Sequence, residues 1–143
     1  RKREPQAAKQ YSACILTGIG GTHKTGQKHD DRAPDYDDWK LNGGIIVRYH
    51  LLGQSIELSS MGIRVDKESL TNQLKAEGKE ERLGMPFHQA LMRDELPLTI
   101  GGGIGQSRLC MLMLEKAHVG EVQASIWPQA LVEECRANGI ELL

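Results

Sequence analysis

Residues 100–108 read IGGGIGQSR, and the residues after Arg108 are almost all apolar: Leu109, Cys110, Met111, Leu112, Met113 and Leu114. Few backbones accommodate both features. Glycine at alternate positions (Gly101, Gly103, Gly105) strips the side chains from one face of an extended segment and leaves a flat backbone floor for a planar ring. The apolar run predicts a helix over residues 107–116, buried on every side. The start of such a helix offers unpaired N–H groups and the positive end of its dipole. From its first turn, Arg108 can reach a phosphate or stack on a base. The string therefore reads as a nucleotide seat, with plain strand–helix packing as the alternative. It is not a dinucleotide fingerprint, because Gln106 and Arg108 stand where GxGxxG needs glycine. Nor is there a phosphate-binding P-loop, since Gly26 is followed by Gln27-Lys28.

Upstream, residues 1–9 are compatible with the end of a helix, limited by Pro5. SACILT (12–17) is a short apolar run that stops at GIGG (18–21), the pattern of a buried strand ending in a tight turn. Residues 22–40 are polar and turn-rich and read as a long loop, a kind that is more often functional than not. Gly43-Gly44 opens a strand over 45–52, and Gly53-Gln54 turns into a second strand over 55–60. That strand continues at 63–65 past Gly62, which marks either a bulge or a close backbone approach. Asp66 is placed to cap a helix over 67–76, with Leu70 and Leu74 spaced i, i+4, and Gly78 ends it. Pro86 fits the first turn of a helix over 86–94, with Phe87, Ala90 and Leu91 on one face. Strands are expected at 96–100 and 122–127, and Pro128 begins a last helix with Val132 and Cys135 inward. The sum is an α+β arrangement, an antiparallel sheet flanked by helices.

Composition narrows the function classes. The 143 residues suit one domain, and with only 4% aromatics the core must rest on Leu, Ile, Val and Met. Charge is balanced, 18 Lys+Arg against 19 Asp+Glu, so no nucleic-acid footprint is visible. No apolar run approaches the ~20 residues of a membrane span. Cys14, Cys110 and Cys135 are odd in number, far apart and without a CxxC pair, and read as reduced thiols of a cytoplasmic protein. The first residue is Arg1 rather than Met, as expected of a chain trimmed or taken from a longer one.

Two further sets carry chemistry. Glu57 and Arg64 lie seven residues apart, and a bulge at 61–62 would turn both to one sheet face. A carboxylate can carry Mg²⁺ to phosphates, and an arginine fork can hold a carboxylate at two points; a cross-strand salt bridge is the plainer reading. Asp35, Asp37 and Asp38 repel one another unless a cation sits among them. A solvated turn is one reading, and a site for an ammonium, a metal or the nearby Arg32 is the other. The five histidines show no ligand spacing and are assigned no chemistry.

HDDRAPDYDDW (29–39), IELSSMGIRVD (56–66), ERLGMPFHQALMRDELPLTIGGGIGQSRL (81–109) and VGEVQASIWP (119–128) closely resemble the ammonia-dependent asparagine synthetases, the A-type aspartate–ammonia ligases. The resemblance runs over almost the whole chain from about Ser12. That family is similar in fold to the catalytic domain of class II aminoacyl-tRNA synthetases, in which GxGxGxxR is motif 3. The resemblance implies amidation of L-aspartate with ammonia through β-aspartyl-AMP, with ATP as co-substrate and Mg²⁺ as cofactor, by a cytoplasmic homodimer. It implies catalytic roles for Arg64 and Arg108, and an ATP site of Glu57, Gly101, Gly103, Gly105 and Arg108, with Glu57 holding the metal. It implies aspartate contacts from Arg32, Asp37, Ser60 and Arg64.

Two departures stand out. Where the family has LNGD, this chain has Leu41-Asn-Gly-Gly44 and lacks the carboxylate, and the segment at 39–41 is shorter than the family's loop by several residues, through a deletion or a loop absent from the sequence. The family's chains are more than twice this length, so residues 1–143 are expected to be the C-terminal half of one catalytic domain, partnered by a missing N-terminal half. A catalytically inactive aspartate- or nucleotide-binding relative, or the core of an aspartyl- or asparaginyl-tRNA synthetase, remain the alternatives.

Overall fold

A computed structural model describes residues 10–22, 26–27 and 32–143. The helix expected at residues 1–9 and the start of the HDDRAPDYDDW string lie outside them. Among the described residues, four strands, β1 (Ala13–Thr17), β2 (Asp37–Tyr49), β3 (Gln54–Arg64) and β4 (Ile100–Ile104), form one sheet in the order β1-β2-β3-β4. The sheet is antiparallel. Gly18 N donates to Asn42 O while Arg48 N donates to Ser12 O, so the two strands run in opposite directions. Four α-helices lie wholly among the described residues: α1 (Lys67–Ala76), α2 (Pro86–Met92), α3 (Gln106–Leu114) and α4 (Gln129–Ala137). The fold is α+β, as expected.

Contacts divide the described residues into two units, one lying within 15–44 and 60–103, the other within 10–14, 45–59 and 104–143. The first is built on Val65, Leu70, Leu74 and Leu91, with Leu83 and Leu96 packed against them. Leu70 and Leu74 are fully buried, each contributing about 1.5–3 kcal/mol of transfer free energy. They sit on the inner side of α1, which starts where its cap chemistry dictates. The Asp66 carboxylate accepts from Ser69 N (2.8 Å), and Asp66 N donates to Ser69 Oγ (2.9 Å). In the second unit, the buried Tyr49 puts its hydroxyl 2.8 Å from Met111 O and 2.6 Å from Lys116 O, tying β2 to the C-terminal end of α3. Burial is the main reason its phenol is harder to ionise than usual.

Several expectations are corrected. β2 begins at Asp37, so residues 37–40 are strand rather than loop, residues 39–41 lie inside it, and Gly43-Gly44 are interior to it. Gly43 is there because a Cβ would come within 2.8 Å of the Leu16 carbonyl oxygen of β1. Leu51 and Leu52 fall in the turn, closed by Gly53 N donating to His50 O, with Gly53 at φ +62°. β3 runs unbroken through Gly62. β4 is the glycine string itself, and residues 96–99 are not strand. β1 is half exposed rather than buried, with Ile15 outward on an edge strand. On α2 the inward residues are His88 and Leu91, whereas Phe87 is exposed.

The helix expected to be buried on every side, α3, has no buried residue, and Met113 is 73% exposed. Its main packing partner among the other helical elements is the short 3₁₀ turn Val119–Glu121, which covers only part of an apolar cylinder. Residues 122–127 form no strand. They follow a turn closed by Gly120 N donating to His118 Nδ1, and the Trp127 ring packs edge-on against His118. α4 holds Cys135 inward and Val132 half-buried, as its spacing suggests.

Candidate active site

The first unit concentrates charge where β2 enters the sheet. Asp37 is 3% exposed, and both its oxygens are held: Oδ1 by Arg64 Nη1, Oδ2 by Arg32 Nη1 at 3.4 Å. Arg64, at the end of β3, stacks its guanidinium over the Tyr36 ring (4.0 Å to the centroid) and donates from Nη2 to the Tyr36 hydroxyl (3.1 Å). Cation–π stacking and a carboxylate on the same planar group fix its orientation, and an ordered fork is what bidentate recognition of a carboxylate needs. The backbone around Asp37 is pinned as well. Gln73 of α1 donates to Pro34 O (2.9 Å) and Asp37 O (3.1 Å) and accepts from Trp39 N (2.8 Å). Val65 N donates to Tyr36 O (3.0 Å).

Two glycines make room for this cluster. A Cβ on Gly62 would sit 2.8 Å from Asp37 Cγ and 2.9 Å from Asn42 Cβ, and a Cβ on Gly101 would overlap the Arg64 guanidinium. Gly62 is thus the close approach rather than a break in the strand. Gly103 differs, because a Cβ there would meet nothing within 4 Å. Its missing side chain answers to no contact within the described protein.

Arg32, Asp37, Arg64 and Gly101 are therefore brought together in one unit, with Ser60 and Gly103 in that same unit. Asp35 and Asp38 do not share the cluster. Asp35 turns to Arg82 and His88, and Asp38 accepts from Lys40 N (2.7 Å). Burial opposes ionisation of Asp35, but hydrogen bonds from Arg82 and His88 outweigh it and hold its carboxyl below the ordinary aspartate range. His88, assigned no chemistry from its spacing, is thus a buried partner of a carboxylate. An i, i+1 aromatic–histidine pair on a short helix gave no signal of it. A cavity of about 570 Å³ in the same unit is lined by Gly18, Trp39, Asn72 and Gln73 among others, and by none of the expected site residues.

The second unit carries the other expected group. Gly105 N donates to Leu58 O (2.8 Å), which seats the end of the glycine string against β3, and Gly105 then caps α3 with no side chain closing its N-terminus. Arg108 is exposed on the first turn and donates from Nη1 to Glu57 O (3.0 Å). The Glu57 carboxylate is exposed. Open N–H groups and a guanidinium at one strand–helix junction can meet a phosphate. Among the described residues no group of three or more His, Cys, Asp or Glu forms a metal cage.

These features define an antiparallel α+β protein organised around paired arginines and aspartates. The aspartate–ammonia ligase family model matches residues 1–139, and the chain belongs to that family. It is 58% identical over all 143 residues to an aspartate–ammonia ligase of Levilactobacillus brevis, 59% to one of Fusobacterium nucleatum and 55% to one of Clostridium perfringens. Each match takes in the whole of this chain but only 43–44% of the relative, so the chain spans less than half the length of these proteins.

Proposed function

We propose that the protein containing this chain makes L-asparagine from L-aspartate, ammonia and ATP, and that this chain supplies the grip on aspartate and part of the ATP site. The observation that carries the reading is the Arg32–Asp37–Arg64 cluster. Two guanidiniums and one carboxylate leave one net positive charge, the complement of aspartate, which carries two carboxylates and one ammonium. Arg64 receives the substrate's α-carboxylate. Asp37, whose oxygens retain lone pairs beyond those used by the arginines, accepts from the ammonium group. Arg32 balances Asp37, and Ser60 on the same strand as Arg64 adds a polar contact.

The β-carboxylate is a poor acyl donor until it carries a leaving group. One of its oxygens attacks the α-phosphorus of ATP, and pyrophosphate leaves. Ammonia then adds to the activated carbonyl carbon, loses a proton, and AMP departs with the original carboxylate oxygen. Positioning and cancellation of phosphate charge supply the rate. Arg108 and the open start of α3 stabilise the phosphates, and Gly101, Gly103 and Gly105 form the floor for the adenine. Mg²⁺ fits Glu57 in the way that cation is usually held, by one or two carboxylates plus substrate phosphates rather than by a protein cage. Bound there, it would neutralise phosphate charge. Catalysis by a cytoplasmic homodimer completes the reading. No helix among the described residues is long and apolar enough to cross a membrane.

Supplied with aspartate, ATP, Mg²⁺ and ammonia, the protein is expected to form asparagine, AMP and pyrophosphate. Formation of ADP and phosphate, or indifference to ammonia, would refute the reading. Gly44, buried inside β2 where the resembled family carries an acid, favours a second one, in which a binding protein keeps aspartate recognition without catalysis. Aspartate binding with no pyrophosphate exchange would select it.

A further inference from the structure

We propose that Asp35, Arg82 and His88 form a positioning clamp that sets Tyr36 and Asp37, and through them Arg64, for the amino-acid substrate. The inference rests on the reading of Asp37 and Arg64 as aspartate-binding residues.

A single oxygen, Asp35 Oδ2, receives both Arg82 Nη1 at 3.0 Å and His88 Nε2 at 3.2 Å. The donors come from different elements, Arg82 from the 3₁₀ turn Glu80–Gly84 and His88 from α2. His88 is 5% exposed, and its Nδ1 is buried with no hydrogen-bond partner among the described residues. A ring that donates from Nε2 leaves Nδ1 as a bare acceptor, which costs stability in an apolar setting. Packing alone would be served better by a leucine at this position, so the return on the histidine is the bond it makes to Asp35.

That bond acts on the site through two residues of backbone. Asp35 and Asp37 flank Tyr36, and besides the arginine contacts of Tyr36 and Asp37 the segment from Pro34 to Asp37 is anchored through its carbonyls, by Gln73 and by Val65 N. Backbone anchors on carbonyls fix the path of the chain but leave its rotation softer. Asp35 supplies a side-chain anchor that does not involve Arg64, and the Asp37 carboxylate and Tyr36 ring are what hold Arg64. Asp35 itself is not available to substrate, since its side chain is 18% exposed and already committed to two donors. It is a positioning residue, as are Arg82 and His88.

The test is steady-state kinetics of the complete protein carrying His88→Leu, Asp35→Asn or His88→Gln, with Arg64→Lys as the control for the site itself. Losing the clamp is expected to raise KM for aspartate by about tenfold to a hundredfold, the upper end being the cost of a ~1 Å misplacement, and to leave KM for ATP unchanged. Asp35→Asn keeps volume and serves if His88→Leu fails to fold. His88→Gln retains an amide nitrogen where Nε2 stood and is expected to restore most of the aspartate affinity. An unchanged aspartate KM in both clamp variants, a parallel rise in both KM values, or no rescue by glutamine would overturn the proposal. If Arg64→Lys leaves aspartate KM unchanged, the site reading itself fails. If Arg64→Lys raises it and the clamp variants do not, only the clamp is wrong.

Discussion

Gly103→Ala separates a binding role for the glycine string from a packing role. Gly103 lies in β4, is exposed, and adopts no left-handed backbone; an added Cβ meets nothing within 4 Å. The folded protein therefore loses nothing on gaining the methyl, and the unfolded chain becomes less free, so stability should hold or rise by about 0.4–1 kcal/mol. A planar ring lying on the strand would be lifted by the same methyl. One methyl-sized misfit in a shaped pocket costs about 1–3 kcal/mol, or roughly 10–200-fold in specificity. In the complete protein, KM for ATP should rise within that range, with KM for aspartate and the denaturant midpoint preserved. Gly101→Ala, whose methyl would displace the Arg64 guanidinium, should raise KM for aspartate as well. If Gly103→Ala leaves KM for ATP unchanged, the adenine does not lie on this strand.

The contrast at Gly62 is steric. Gly62→Ala forces a methyl against Asp37 Cγ and Asn42 Cβ, and neither can retreat, because Asn42 is tied to Ile19 N and O and Asp37 to two arginines. Overpacking of this kind costs about 1–3 kcal/mol, readable as a fall in denaturant midpoint together with weaker aspartate binding. Asp66→Ala removes the cap of α1 and should cost about 1 kcal/mol by the same denaturation assay, with kinetics otherwise retained. Acid should destabilise the first unit through the same carboxylates. Asp35 and Asp66 both ionise more readily folded than unfolded, so their stabilisation is complete above the ordinary aspartate range, near about pH 4, and is lost as pH falls through their lowered folded values. Denaturation measured across that window should show a shallower loss in Asp66→Ala than in the parent.

What the sequence made legible was local. The cap at Asp66 and the i, i+4 leucines specify α1 to the residue, because the signal and its structural consequence lie within one helix turn of each other. The alternate glycines announced an extended segment, and β4 is one. What escaped was set by distant partners. Residues 37–40 look like a polar loop, yet they enter β2 because Gln73 and Arg64, far along the chain, satisfy their polar groups. His88 carries no recognisable spacing, since its partner Asp35 precedes it by 53 residues. The apolar pattern of α3 says that its surface calls for cover but not which part of a protein provides it. For residues 122–127, strand-forming side chains alone were not enough to make a strand. At the site, the pairing of Arg32 with Asp37 was foreshadowed by loop proximity. The stacking of Arg64 on Tyr36 was not, because it depends on where β2 begins and β3 finishes.

The proposed activation of aspartate, by transfer of the AMP group of ATP to its β-carboxylate, is tested by oxygen labelling. Aspartate carrying ¹⁸O in its β-carboxylate is incubated with the complete protein, ATP, Mg²⁺ and ammonia, and the nucleotide and phosphate products are analysed by mass spectrometry. Activation through β-aspartyl-AMP leaves one ¹⁸O in the phosphate of AMP and none in pyrophosphate. Label in inorganic phosphate with formation of ADP would mean an acyl phosphate instead. Asparagine formed with unlabelled AMP would also contradict the account.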